Sequence, residues 1–120
     1  CHAADQPVVT HGGLTGCVQG AFAGGDEVII SLERMTAIEE IDAVGRTLTV
    51  QAGALLQDVQ QAVAEQNLYF PLDLGARGSC TIGGNVATNA GGINVIRYGM
   101  MRELVLGLEA VLADGTVFRR

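Results

Sequence analysis

Positive charge is scarce in this chain. Its 120 residues hold seven Lys plus Arg against thirteen Asp plus Glu, a formal charge of −6, and the pI is about 4.6. Arg77, Arg97, Arg102, Arg119 and Arg120 form no basic cluster. Nucleic acid and anionic membranes reward clustered Lys and Arg, so neither is an expected partner. A small anionic ligand would have to be held mainly by backbone dipoles. Cysteine is equally sparse: Cys1, Cys17 and Cys80 are odd in number and lack a C-x-x-C spacing. Neither a disulfide framework nor a zinc site is indicated, and a reducing compartment is the default. No apolar run approaches the length of a transmembrane helix, and no signal-peptide pattern opens the chain. The chain starts at Cys1 and ends on the strand-like Thr116-Val117-Phe118-Arg119-Arg120, so it reads as part of a longer protein.

Glycine is what the chain has in excess. Seventeen in 120 residues is about twice the ordinary share of roughly 7%. Aromatic residues make up only 4%, while 48% of residues are apolar, enough for one packed domain. Tight turns and close backbone approaches are therefore expected over much of the chain.

Val8 and Val9 read as a short strand entering the glycine loop Gly12-Gly13-Leu14-Thr15-Gly16. Gly24-Gly25-Asp26 is a turn signal, and Glu27 to Leu32 reads as a buried strand because Val28, Ile29 and Ile30 are contiguous. Ile38 to Ile41 and Leu48 to Gln51 flank a turn over residues 42–46, predicting a hairpin. From Leu55 to Gln66 the apolar residues Leu55, Val59, Ala62 and Val63 have the spacing of one helical face, with Asn67 as the C-terminal cap. Leu68 to Phe70 is extended before Pro71. Thr81 is placed to cap a short helix over Ile82 to Ala87. Two adjacent glycines in its first turn, Gly83 and Gly84, cost about 1 kcal/mol each, and close ligand approach at the positive helix end would explain them. Beyond Gly92 the chain reads as mixed loop and strand, with a hairpin turn at Asp114-Gly115.

Two glycine loops, Gly12 to Gly16 and Gly75 to Gly84, each follow a β-like segment, and each could turn several N–H groups toward one anion. A pair of such loops suggests a pyrophosphate, hence a phosphate-bearing cofactor. Neither loop fits G-x-x-x-x-G-K-[ST], and neither is a G-x-G-x-x-G opening a βαβ unit, so the P-loop and Rossmann readings both fail.

Pro71-Leu72-Asp73-Leu74-Gly75 and Cys80-Thr81-Ile82-Gly83-Gly84-Asn85-Val86-Ala87-Thr88-Asn89-Ala90-Gly91-Gly92 resemble the second flavin motif of the FAD-linked D-2-hydroxy acid dehydrogenases. That group includes D-2-hydroxyglutarate, D-lactate and glycolate dehydrogenases, within the vanillyl-alcohol oxidase and p-cresol methylhydroxylase (PCMH) superfamily. Gly12 to Gly16 resembles the group's first motif, and the likeness runs from about Pro7 to Arg120.

The resemblance implies an α+β PCMH-type FAD-binding domain, with residues 1–120 covering the later part of its small lobe and the start of its larger antiparallel lobe. The substrate domain lies outside this chain. By the same resemblance the N–H groups around Gly12, Gly13, Leu14 and Thr15 hold the FAD pyrophosphate with Ser79 and Gly83, and Gly16 belongs to the same cofactor-binding loop. Pro71, Asp73, Gly75, Cys80, Thr81 and Gly84 line the cofactor. Asn85, Thr88, Asn89, Gly91 and Gly92 continue toward its ribityl and ring region. Members that tether FAD covalently through this loop carry histidine directly after the Gly-Gly pair; here that position is Leu14, so noncovalent FAD is expected.

The implied reaction is oxidation of a small 2-hydroxy acid to its 2-oxo acid, with electrons passed to a separate acceptor. The implied location is cytoplasmic for a bacterial source and mitochondrial for a eukaryotic one. The alternatives are another branch of the superfamily, such as an alditol or aryl-alcohol oxidase, and a non-catalytic nucleotide-binding module. No catalytic or metal-binding residue is expected here. His11 reads as a polar loop residue, Cys80 as filling a tight space beside the cofactor, Cys17 as packing, and Met100 and Met101 as core. Asp73 is expected to brace the turn after Pro71 through local N–H groups, and Arg77 is left open between a phosphate neighbour and a solvated side chain.

Overall fold

Three separate pairs of strands frame a small helical core in the computed structural model, which describes residues 1–120. β1 (Val8–His11) and β2 (Val28–Ser31) pair in parallel, Val8 opposite Val28 and His11 opposite Ser31. β3 (Ile38–Asp42) and β4 (Thr47–Val50) form the expected antiparallel hairpin. Its turn is closed by Asp42, whose Oδ1 accepts from the N–H groups of Val44 and Gly45, both at 2.9 Å. β5 (Glu109–Val111) and β6 (Val117–Arg119) make the last hairpin around Asp114-Gly115.

α1 (Leu56–Ala64) carries the core. Leu56 and Val59 are fully buried and Val63 nearly so. Leu56 and Val59 pack with Ala54, Leu72, Cys80, Ile82 and Met101, and burying a side chain of this size stabilises by roughly 1.5–3 kcal/mol. The buried face begins at Leu56 instead of Leu55, because Leu55 has extended dihedrals and stands at the N-cap. The C-terminal end follows the expected pattern. Asn67 sits in the left-handed region at φ 57°, its N–H bonds to Ala64 O, and Leu68 N–H reaches back to Val63 O. Those two bonds are the 5→2 and 6→1 pair of a Schellman turn.

α2 (Ile82–Ala87) is capped by Thr81, whose Oγ1 accepts from Gly84 N–H at 3.3 Å. Two short helices occupy the stretch expected as loop and strand: α3 (Val95–Tyr98) and α4 (Met101–Leu104). Both are held by distant contacts more than by periodicity. Asn94 Nδ2 donates to Tyr69 Oη and to Pro71 O, Met101 N–H donates to Ala90 O, and Glu103 Oε2 caps Met100 N–H at 2.7 Å.

One expectation is overturned by burial. Val28, Ile29 and Ile30 are 43–50% exposed, because β2 pairs with β1 alone and the short 3-10 turn Gln19–Ala21 packs on β1, leaving β2 uncovered. The same openness shows in the shape, with a radius of gyration of 15.2 Å against about 13.6 Å for a compact domain of this length. Cys17, expected to pack, is exposed as well.

Candidate functional site

The parallel pairing of β1 and β2 decides where the site forms. Parallel strands release their following loops from the same end, so Gly12 to Gly16 leaves β1 beside the Leu32 to Thr36 turn that leaves β2. Ligand crevices in parallel sheets form at such carboxyl ends. A third segment closes the space. The α1 entry and the Ser79 to Thr81 segment are stitched together by Leu56 N–H to Cys80 O at 3.1 Å and Ile82 N–H to Ala54 O at 2.9 Å, flanking a bridge between Leu55 and Thr81.

The result is a cavity of about 330 Å³ whose walls include Gly12, Gly13, Leu14, Ser79 and Thr81. Both sequence motifs therefore meet in one place. Gly12 and Gly13 permit that meeting directly: a Cβ on Gly13 would lie 1.9 Å from Ser79 O, and one on Gly12 would lie 2.5 Å from Thr81 Oγ1. Glycine here serves the contact between loops.

The N–H groups of Gly12, Gly13, Leu14, Thr15 and Gly16 donate to no acceptor within the chain. Leu14 turns the loop through the left-handed region at φ 54°. Consecutive amides left unpaired in a turn form an anion-binding concavity, and an unmet donor is otherwise costly once water is excluded. The cavity wall contains neither Lys nor Arg, so backbone dipoles supply its attraction for a phosphate.

α2 contributes differently from expectation. Its first N–H groups are already engaged: Ile82 to Ala54 O, Gly83 to Ala52 O, Gly84 to Thr81 Oγ1 and Asn85 to Thr81 O. A Cβ at Gly83 would lie 2.7 Å from Ala52 Cβ, so packing against that turn explains this glycine. A Cβ at Gly84 would meet only Thr81 Oγ1, at 3.2 Å, which leaves that position open to an incoming molecule. Asn85 is 3% exposed, and its Nδ2 is the one buried side-chain polar atom without a partner. A buried amide of this kind costs about 1–3 kcal/mol until something accepts its hydrogen.

The remaining motif residues form a neighbouring cluster. A Cβ on Gly92, at φ 106°, would lie 2.2 Å from Asp73 O, and Ile93 N–H donates to that same oxygen. Asn89 Oδ1 accepts from Arg102 N–H at 2.9 Å, and its Nδ2 faces Met100 Sδ. Thr88 Oγ1 donates to Gly84 O. Gly75 has open space where a side chain would be, while Gly91 stands against Val95. Asp73 does not brace local N–H groups, because its Oδ1 takes Arg77 Nη1 at 3.2 Å. That pairing also settles Arg77 as a surface partner of Asp73. Cys80 is buried in the core at 3% exposure, and His11 Nε2 lies 2.8 Å from Ala21 O.

Glu33, Thr36, Gly53 and Leu55 also line the cavity and were not singled out by sequence. The usable signal was the end of β2, since the residues just past a second parallel strand share the loop end of the first. A larger cavity of about 390 Å³ lies behind α1, with Arg46, Leu48, Val63, Phe70 and Tyr98 among its lining. It contains none of the motif residues.

Two glycine loops meet beside a row of free amides on an α+β framework, an arrangement suited to a nucleotide phosphate. The chain belongs to the FAD binding domain family, which it matches over residues 1–120. It is 56% identical over 108 residues to a D-2-hydroxyglutarate dehydrogenase of Xanthomonas citri pv. viticola, covering 90% of this chain and 23% of that protein. It is 51% identical over 117 residues to the mitochondrial D-2-hydroxyglutarate dehydrogenase of Bos taurus, covering 98% of this chain and 22% of that one. In fold it resembles two solved structures of alkyldihydroxyacetonephosphate synthase, with TM-scores of 0.87 and 0.89 at 18% identity. Those matches cover 99% of this chain and 22% and 24% of the solved ones. The PCMH-type α+β fold and the FAD cofactor are thereby established, and the chain spans under a quarter of its relatives' length. No helix is long and apolar enough to cross a membrane.

Proposed function

We propose that this chain is the FAD-holding part of a flavoprotein that oxidises a D-2-hydroxy acid to the 2-oxo acid and passes the electrons to a separate acceptor. The observation that carries the cofactor assignment is the run of five unpaired amides from Gly12 to Gly16, whose first three residues share one cavity wall with Ser79 and Thr81. These amides take the pyrophosphate. Gly84 allows close approach, and Asn85 Nδ2 offers its unused hydrogen to an acceptor on the cofactor. When bound, FAD supplies the hydride acceptor, and these residues bind and orient it. Gly83, with its N–H and its Cβ space both committed to Ala52, acts by holding α2 against the turn before α1.

FAD is held noncovalently. Leu14 stands where a tethering histidine would follow the Gly-Gly pair, and the His11 ring is occupied by Ala21 O. The substrate assignment rests on relatives named D-2-hydroxyglutarate dehydrogenase at 51–56% identity, so D-2-hydroxyglutarate is the first acid to assay. Mitochondrial placement follows for a eukaryotic source, as for the Bos taurus relative, and cytoplasmic placement for a bacterial one.

The test uses the whole protein carrying this chain. Purified protein is expected to be yellow, to bleach anaerobically with D-2-hydroxyglutarate or D-lactate, and to release its flavin into the supernatant on acid precipitation. Colourless protein that takes up no added FAD overturns the cofactor reading. Bleaching by none of the D-2-hydroxy acids overturns the substrate, and flavin retained in the acid pellet overturns noncovalent attachment.

A further inference from the structure

Glu33 is the feature of the cavity that phosphate binding leaves unexplained. It stands in the turn after β2, and that turn is clamped in place: Leu32 N–H donates to His11 O, Met35 N–H to Leu32 O, and Gly53 N–H to Met35 O. A Cβ on Gly53 would lie 1.9 Å from Leu32 O, so the turn sits directly on the backbone that leads into α1. Glu33 is thereby fixed in the wall that also contains Gly12, Gly13 and Leu14.

Its carboxylate is unused. Neither ion pair in the chain involves it, and its one hydrogen bond is made by its backbone N–H, to Ser31 Oγ at 3.3 Å. Thr36 and Ser79 line the same space.

A carboxylate beside a row of phosphate-seeking amides would repel a phosphate placed on it, so the two sides of the cavity take different parts of one ligand. The amides accept an anion. The carboxylate accepts hydrogen-bond donors and disfavours a second anion. In a dinucleotide the first donors beyond the pyrophosphate on the nucleoside side are the ribose hydroxyls. A space of about 330 Å³ is at the small end of ligand sites, roughly 300–1,000 Å³, and suits half of a dinucleotide. Carboxylates read ribose diols in this way in other nucleotide sites.

We infer that Glu33 accepts hydrogen bonds from the ribose hydroxyls of the AMP half of FAD and so selects an unphosphorylated ribose. This rests on the FAD reading above. Thr36 adds a neutral hydroxyl to the same wall, and the flavin half lies toward Asn85 and Gly84.

The experiment is a titration of the whole apoprotein with FAD, followed by quenching of flavin fluorescence, in wild type, Glu33→Ala, Glu33→Gln and the exposed control Glu65→Gln. Competition by ADP, 2′-deoxy-ADP and adenosine 2′,5′-bisphosphate is measured in each. Hydrogen bonds to charged groups support an expected loss of about tenfold or more in FAD affinity for Glu33→Ala. Wild type is expected to prefer ADP to both analogues, Glu33→Gln to tolerate the 2′-phosphate better than wild type, and Glu65→Gln to match wild type. Glu33 is exposed and makes no side-chain bond, so circular dichroism should show all variants folded. FAD affinity of Glu33→Ala within twofold of wild type overturns the assignment while leaving the FAD reading intact. Equal competition by ADP and 2′-deoxy-ADP in wild type moves the contact off the ribose and overturns it too. A wild-type apoprotein that binds no FAD overturns both readings together.

Discussion

Replacing Gly13 with alanine should disable the cradle without touching any residue that chemistry would single out. The added Cβ would stand 1.9 Å from Ser79 O, 2.8 Å from Ser79 C and 3.0 Å from Cys80 Cα. All three are main-chain atoms, so no side-chain rotation relieves the clash. Ordinary contact begins near 3.4 Å, so the loop must retreat from Ser79 by about 1.5 Å. Ser79 and Cys80 cannot yield far, because both of their N–H groups bond to Ala76 O and Cys80 O holds Leu56 N–H.

Forced overpacking of this kind costs roughly 1–3 kcal/mol of stability. The loss in cofactor affinity should be larger. A hydrogen bond to a charged group contributes about 1.5–3 kcal/mol, and misaligning two of the amides would weaken FAD binding on the order of 10²-fold or more. Fluorescence titration of the apoprotein measures it. Gly20→Ala is the matched control, since no atom lies within 4 Å of its Cβ position and it stands outside the cavity. A Gly13→Ala protein with FAD affinity within threefold of wild type would refute the loop-to-loop contact as the support of the cradle.

Thr81→Val removes the α2 cap and leaves Gly84 N–H unpaired; a loss of about 0.5–2 kcal/mol is expected by denaturant melting, with Thr81→Ser close to wild type. Asn85→Ala should change sign with the cofactor: the apoprotein loses an unmet buried donor and melts no lower, while the rise in Tm on adding FAD shrinks. An apoprotein destabilised as much as the holoprotein would count against a bond from Asn85 to FAD. Backbone N–H groups on its carboxylate, that of Gly25 first, then its own and that of Gly24, hold Glu27 below its ordinary value of 4.5. A depressed folded pKa means its contribution is present above the unfolded value and lost as pH falls through the folded one. The protection factors of the 24–27 amides, taken against their intrinsic exchange rates at each pH, should therefore fall at acid pH in wild type and stay level in Glu27→Gln.

Much of the framework was legible because its signals are local. The turn at residues 42–46, the Schellman turn at Asn67 and the cap at Thr81 depend on residues within a few positions of one another, and all three stand where the sequence put them. α3 and α4 were not legible, since four residues cannot display a helical period and the bonds that place them, Asn94 to Pro71 O and Met101 to Ala90 O, reach residues distant in sequence. The depth of β2 was misread for a related reason: three contiguous apolar residues report that cover is wanted, and the cover is not supplied by β1. At the site, the two glycine loops were legible as loops, but what each glycine does was not. Gly12, Gly13 and Gly83 are bare because other parts of this chain press on them, a tertiary fact. Glu33 entered the cavity only through the pairing of β1 with β2.

The contact of Gly13 with Ser79 also sets an order of events. It joins positions about 66 apart along the chain, and closing a loop of that length carries an entropic cost on the order of 4 kcal/mol. That closure is offset by the packing around Leu56 and Val59, the same packing that stitches Cys80 to the start of α1. Until the core condenses, the five amides face no opposing wall. On the proposed placement of FAD, the dinucleotide then has nothing to grip on a nascent chain, and loading the cofactor is expected to be a late step, performed on a scaffold already folded.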